Sequence, residues 1–279
     1  METSSCCPDL QWHVPLPNKP HIILAEKDVQ NRVIIVGDVH GCLEEFEDLL
    51  LSCQYDPLDC TLILVGDFVN KGPYSARVVR KARELGAVCV RGNHDDTALS
   101  YALGTNVYPR KDSYSYVDSL TKEDVEWLRE LPYTVTIPHL GVIIVHAGLV
   151  PGKPIPQQTR MDMVTMRNVV SVNIQNGAVS GSSGDSAKTG TAWEGTSVSK
   201  SGEAWADVWS KNNYLTTDDG RPYHIYFGHD AKKGLQQHDH ATGLDTGCCY
   251  GRELTAVILP EKEVVQIKAR KIYVVPESD

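Results

Sequence analysis

Five apolar runs in this chain each break off into residues that bind metal ions: VIIVGDVHG at 33–41, LILVGDFVNKGP at 62–73, VCVRGNHDD at 88–96, VIIVHAG at 142–148 and IYFGHD at 225–230. A run of near-continuous Val, Ile and Leu reads as a strand buried on both faces, and the residues just past its carboxyl end emerge at a rim where ligands gather. Five such rims converging would bring Asp38, His40, Asp67, Asn93, His146 and His229 around one small volume. Their oxygen and imidazole donors, without thiolate, suit divalent iron, manganese, zinc or cobalt and argue against a cysteine-rich structural zinc site. A centre with two ions about 4 Å apart needs one shared carboxylate. Asp67 is the choice for that bridge, which leaves Asp38 and His40 for one ion and Asn93, His146 and His229 for the other. Each residue alone has a plainer reading: Gly-Asp after a strand is a common turn, and a lone strand-end histidine is usually structural. Five hits of one donor chemistry in one chain outweigh it.

The motifs GDVHG, GDFVNKG, GNHD, HAG and GHD, in this order, resemble the calcineurin-like metallophosphoesterase superfamily, and within it the phosphoprotein phosphatase branch. MVTMRN at 163–168, FGHDAKKGLQ at 227–236 and LDTGCCYGRELTAVIL at 244–259 look like the ApaH-type symmetrical diadenosine tetraphosphatases of bacteria, and VNKGPYS at 69–75 looks like their eukaryotic ApaH-like phosphatase relatives. The resemblance runs from about Asn31 to about Pro276. It implies a hydroxide bridging two metal ions that attacks phosphorus in line, with no covalent phosphoenzyme. It also implies that His94 protonates the leaving oxygen as general acid.

Two positions depart from the protein phosphatases, which carry Asp-Arg where this chain has Asn70 and Lys71. In that branch the Asp pairs with the histidine matching His94. Asn70 supplies no charge, so His94 should be the stronger acid here unless Asp95 or Asp96 takes over. Lys71 is a point charge instead of a bidentate fork and would neutralise a phosphate while clamping it less rigidly. Arg167, from the MRN motif, is the candidate for a second anion clamp.

The chain has 279 residues, 41% apolar content and no 18-residue apolar run, enough for one sizeable α/β core and without a membrane span. Its first residues, METSSCCPDLQWHVP, have neither the basic nor the apolar region of a secretory or transit leader, and the adjacent Cys6 and Cys7 are weak grounds for acylation. Eight cysteines, two pairs of them vicinal and none spaced as CxxC, fit a reduced cytosolic or nuclear compartment better than a disulfide framework. A net charge of −9 disfavours broad nucleic-acid binding; the basic runs RVVRKAR at 77–83 and KARK at 268–271 leave room for a short anionic chain or a capped RNA end, but ordinary solvated faces are the favoured reading of both.

Helical stretches are expected at 42–52, 73–85, 95–103 and 120–131, the last capped by Thr121, and a hairpin is expected to turn at Glu261 and Lys262. The expected fold class is α/β, a two-sheet β-sandwich flanked by helices: a partly ordered tail over 1–30, then one domain over 31–276. That domain is interrupted at 177–202, where 13 of 26 residues are Gly or Ser. A loop there could bring Trp193, Trp205 and Trp209 over the cleft to stack on a nucleobase, though Trp205 and Trp209 packing into the fold is the plainer expectation.

The favoured function is hydrolysis of phosphoanhydride bonds in a small polyanion, a dinucleoside polyphosphate or related chain. Endopolyphosphatase and RNA cap hydrolase are variants of that chemistry. A serine/threonine phosphatase is weakened by Asn70 and Lys71, and an inactive scaffold would be expected to lack a ligand, whereas all six are present.

Overall fold

The structure is a computed structural model, and it describes residues 14–173, 191–212 and 214–276. Along the chain, β1 (His21–Ile23) and β2 (Arg32–Val36) lead to α1 (Leu43–Ser52), β3 (Cys60–Leu64), α2 (Ser75–Glu84), β4 (Val88–Cys89) and α3 (Asn93–Ala102). A 3-10 segment over Asp112–Ser119 precedes α4 (Lys122–Glu130), β5 (Thr134–Ile137), β6 (Val142–Val145) and α5 (Arg160–Thr165). Then come β7 (Asn168–Asn173), β8 (Thr191–Thr196), β9 (Glu203–Ala204), α6 (Trp205–Ser210) and β10 (His224–Phe227). The chain closes with β11 (Gln236–His238), β12 (Ala241–Gly243) and the hairpin β13 (Glu253–Leu259) to β14 (Glu263–Lys268).

These strands form a five-stranded sheet in the order β14-β13-β2-β3-β4 and a six-stranded sheet in the order β1-β5-β6-β10-β12-β11. β2, β3 and β4 run parallel, as do β6, β10 and β12. The ligand loops of each sheet therefore leave from the same end.

The continuous apolar runs follow from burial on both faces, with side chains alternating between them. Val33 and Ile35 of β2 join Val142 and Ile144 of β6 in the core between the sheets. Ile34 and Val36 pack outward with Phe46 and Leu49 of α1, and Ile143 and Val145 pack outward with Trp205 and Trp209 of α6. The expected two-sheet sandwich flanked by helices is thus what the chain adopts. Each fully buried Ile or Leu stabilises it by about 1.5–3 kcal/mol. Among the described residues, no helix is long and apolar enough to cross a membrane.

Several local expectations are sharpened. β1 lies in the stretch expected as a tail; it pairs in parallel with β5, and Val14 before it is buried. The Gly/Ser-rich stretch is only partly described, residues 177–190 falling outside; its far end is β8, which closes a three-stranded sheet with β7 and β9. Trp205 and Trp209 are each 2% exposed in the core behind the six-stranded sheet, Trp205 lying 4.8 Å edge-on from Phe227. Base stacking over the cleft is not open to them, because their four-residue spacing aims both rings at the sheet.

Thr121 caps α4 as expected: its hydroxyl accepts from the Asp124 amide, and the Asp124 carboxylate accepts from the Thr121 amide. Asp124 also receives Arg80 at 3.2 Å and Arg83 at 2.9 Å, while Lys81 pairs with Glu47. Arg270 pairs with Glu44 and Asp48 of α1. The main cations of both basic runs are therefore engaged by acids of the same chain, and neither run lines the cleft described next.

Behind the loop that follows β4, Arg91 and Asp96 form an ion pair at 2.8 Å with both side chains fully buried. The Tyr133 ring lies 4.8 Å beneath the guanidinium and its hydroxyl donates to Asp96.

Candidate metal centre and its cleft

Asp38 and His40 lie just past β2, Asp67 past β3, His146 past β6 and His229 past β10. Asn93 and His94 differ from the strand-rim reading: α3 starts two residues earlier than expected, so both occupy its first turn. The helix start is fixed by Asp95, whose carboxylate accepts from the backbone N–H of Gly92 at 2.9 Å and of Asp67 at 2.7 Å. That carboxylate ties the loop carrying Asp67 to the loop carrying Asn93. It also places the positive end of the helix at the centre.

All six expected ligands come together. Asp67 Oδ1 accepts from the His94 backbone N–H at 2.9 Å, which leaves Oδ2 facing His40 Nε2 at 3.7 Å and His146 Nε2 at 3.5 Å. Asp38 Oδ2 is 4.0 Å from His40 Nε2. His146 Nδ1 lies 2.9 Å from the Val65 carbonyl and His40 Nδ1 lies 2.9 Å from the Val69 carbonyl, so a ring proton donated there leaves each Nε2 with its lone pair pointing into the centre. His229 is held the other way round, Nε2 donating to the Thr165 carbonyl at 3.1 Å and Nδ1 facing inward.

Asn93 Oδ1 stands 3.1 Å from both His146 Nε2 and His229 Nδ1. With the ring protons donated to those backbone carbonyls, these are three lone pairs aimed at one point, an arrangement that suits a cation. Charge points the same way. Burial, with Asp245 and Asp67 adding to it, pushes the Asp38 carboxyl well above the usual carboxylate range. Burial acts on Asp67 in the same sense, but His146, His94, His40 and Lys71 outweigh it and hold that carboxyl below the usual range. The donor set fits divalent metal ions with nitrogen and oxygen ligands.

The backbone around the centre is strained in a way no motif spells out. His40, Asp67, Asn70, Lys71 and His229 all have positive φ, between 45° and 70°, although none is glycine. Such conformations concentrate where a site over-determines them. The glycines beside them serve close approach: a Cβ on Gly228 would strike Asp38 Oδ1, and one on Gly92 would strike Asp67 Oδ1.

The centre opens into a cleft of about 950 Å³ whose walls carry Lys71, Lys111, Arg167, Lys232 and Arg252. In a chain of net charge −9, this concentration of cations is a local field for a polyanion. Lys71 Nζ donates to His40 Nε2 at 2.9 Å and lies 5.2 Å over the Tyr250 ring. Burial opposes its charge, but Asp67 leads several anionic neighbours that hold the ammonium above its ordinary pKa. Arg167 lines the cleft, 3.7 Å from Asp230.

His94 faces the same cleft, and its Nδ1 is met by Asn70 Nδ2 at 2.9 Å and by the Tyr114 hydroxyl at 2.8 Å. Neither Asp95 nor Asp96 takes over as its partner, because the first is engaged by backbone amides and the second by Arg91 and Tyr133. Burial lowers the His94 pKa to about 4, with Lys71 and His146 adding to it against the pull of Asp67. Motif reading did not assign Tyr114, Lys111, Lys232 or Arg252 to the site, and it named Asp95 only as a possible partner of His94. Asp95 stands inside GNHDD, but Tyr114 lies 20 positions beyond His94 with no local signal.

Comparison with known proteins identifies the family. The model of the calcineurin-like phosphoesterase family matches residues 31–233. The symmetrical bis(5'-nucleosyl)-tetraphosphatase of Aromatoleum aromaticum is 32% identical over 86% of this chain and 97% of its own length. That of Pectobacterium atrosepticum is 31% identical over 82% and 92%. A crystal structure provisionally named a diadenosine tetraphosphatase superposes with a TM-score of 0.73 at 32% identity, covering 90% of this chain and 98% of that one. A Saccharomyces cerevisiae serine/threonine phosphatase, 14% identical with a TM-score of 0.54 over 97% of this chain and 88% of its own, shares the fold. The chain belongs to the calcineurin-like phosphoesterase family, in the branch of the symmetrical bis(5'-nucleosyl)-tetraphosphatases, and is a metal-dependent hydrolase.

Proposed function

We propose that this chain hydrolyses a phosphoanhydride bond of a dinucleoside polyphosphate at a centre of two divalent ions. The observation that carries this reading is the placement of Asp67 Oδ2 between His40 and His146, beside the convergence of Asn93, His146 and His229 on one point. Asp67 would be shared, Asp38 and His40 would complete one ion's set, and Asn93, His146 and His229 the other's. When bound, the ions supply Lewis acidity toward phosphoryl oxygens and a water of lowered pKa.

The chain's own groups do the rest. Lys71 neutralises phosphate charge beside the centre, and Arg167 holds the chain further along the wall. The cations around the cleft favour several consecutive phosphates over a single phosphoserine, and this, with the names of the relatives, supports the substrate class. His94, held through Nδ1, presents Nε2 to the cleft and delivers a proton to the leaving oxygen.

A substrate panel with elemental analysis tests the reading. Diadenosine tetraphosphate should be turned over faster than inorganic polyphosphate, capped RNA or a phosphoserine peptide, by protein containing close to two transition-metal ions per chain. His94→Ala should keep the metal and lose about a hundredfold in kcat. Protein with neither metal nor turnover on any member of the panel would sink the proposal.

A further inference from the structure

We infer that Tyr114 is the positioning residue that fixes the ring of His94 in the cleft by holding its Nδ1. The inference rests on the general-acid role proposed above. A histidine that gives up its proton from Nε2 keeps the proton on Nδ1, so its orientation is held by a hydrogen-bond acceptor at Nδ1. As oriented, Asn70 turns its NH2 toward Nδ1, and an amide NH2 only donates. Its carbonyl Oδ1 is buried with no hydrogen-bond partner among the described residues, so in this orientation the amide offers the ring a donor only. The Tyr114 hydroxyl, 2.8 Å from the same nitrogen, can accept from Nδ1–H.

The hydroxyl is held firmly enough for this task. Tyr114 is 5% exposed, and its ring lies nearly parallel to that of His94, at 20° with centroids 6.4 Å apart. Tyr101 and Tyr116 pack against it at 5.2 and 5.9 Å. The 3-10 segment Asp112–Ser119 carries Tyr114, so a segment outside every motif supplies the neutral counterpart of the carboxylate that pairs with this histidine in the protein phosphatases.

Tyr114→Phe removes the hydroxyl and keeps the ring. In the metal-loaded enzyme with diadenosine tetraphosphate, kcat should fall about tenfold, as for one hydrogen bond to a charged group. KM should stay within about twofold and metal content should not change. The deciding measurement is the double-mutant cycle: in a His94→Ala background, adding Tyr114→Phe should have no further effect. An equal loss in both backgrounds, or no loss in the wild-type background, overturns the inference. Failure of the acid role itself would show separately, as unimpaired turnover in His94→Ala alone.

Discussion

Asp67→Ala should empty the centre and abolish turnover together, the largest functional loss expected of any single substitution in this chain. One carboxylate has three duties: Oδ1 accepts from the first turn of α3, Oδ2 lies between His40 and His146, and its charge offsets Lys71. Alanine removes the group shared between the two proposed ion sets and also frees Asn93 and His94 to shift with their helix. The expected result is loss of both metal equivalents by elemental analysis and a fall in kcat/KM of roughly 10³-fold or more, the scale of several kcal/mol of lost charge stabilisation. The contrast with His94→Ala, which should keep its metal, separates holding the ions from moving the proton. An Asp67→Ala protein that retained two ions and measurable turnover would end the bridging assignment.

Asp96→Ala should be the most damaging substitution for stability while leaving the centre's ligands untouched. Its carboxylate is the counter-charge of Arg91, and both side chains are fully buried. Removing one member of such a pair strands a charge in the core, a loss of about 3–5 kcal/mol. For a domain of this size that is a fall in Tm of about 10 °C. Tyr133→Phe removes only the hydroxyl that donates to Asp96 and should cost about 1–2 kcal/mol. Thermal or denaturant unfolding of the two variants gives the order directly. A shift below about 2 °C for Asp96→Ala would mean that the pair is not the anchor its burial suggests.

Much of the site could be read from sequence because its chemistry is local: each ligand follows an apolar strand by one to four residues, and strand ends of one sheet gather at one edge. The groups that tune the ligands were hidden for the opposite reason. Asp95 stands in plain view, but nothing local distinguishes a carboxylate that accepts two backbone amides from one that pairs with His94. Tyr114 depends on where a 3-10 segment packs. Arg91 and Asp96 carry no local sign that the fold buries them as a pair. The short β1 was invisible because a three-residue edge strand has too few residues to show a period. The Gly/Ser-rich composition at 177–202 concealed β8, whose partner β7 precedes the run. The two tryptophans of α6 show the usual outcome of large aromatics near a site: burial supplies more free energy than waiting for a ligand.

The proposed ligands are drawn from both sheets, Asp38 and Asp67 from the five-stranded one and His146 and His229 from the six-stranded one. The centre is therefore a clasp across the sandwich, and whatever binds there reports on how well the two halves are closed. Metal that binds only the closed form stabilises it by mass action, by about 2.7 kcal/mol for one site at a hundredfold excess over its Kd. The relation is reciprocal: a substitution deep between the sheets, at Ile35 or Ile144, would loosen metal binding without approaching a ligand. Catalytic readiness and folding stability in this chain share one joint.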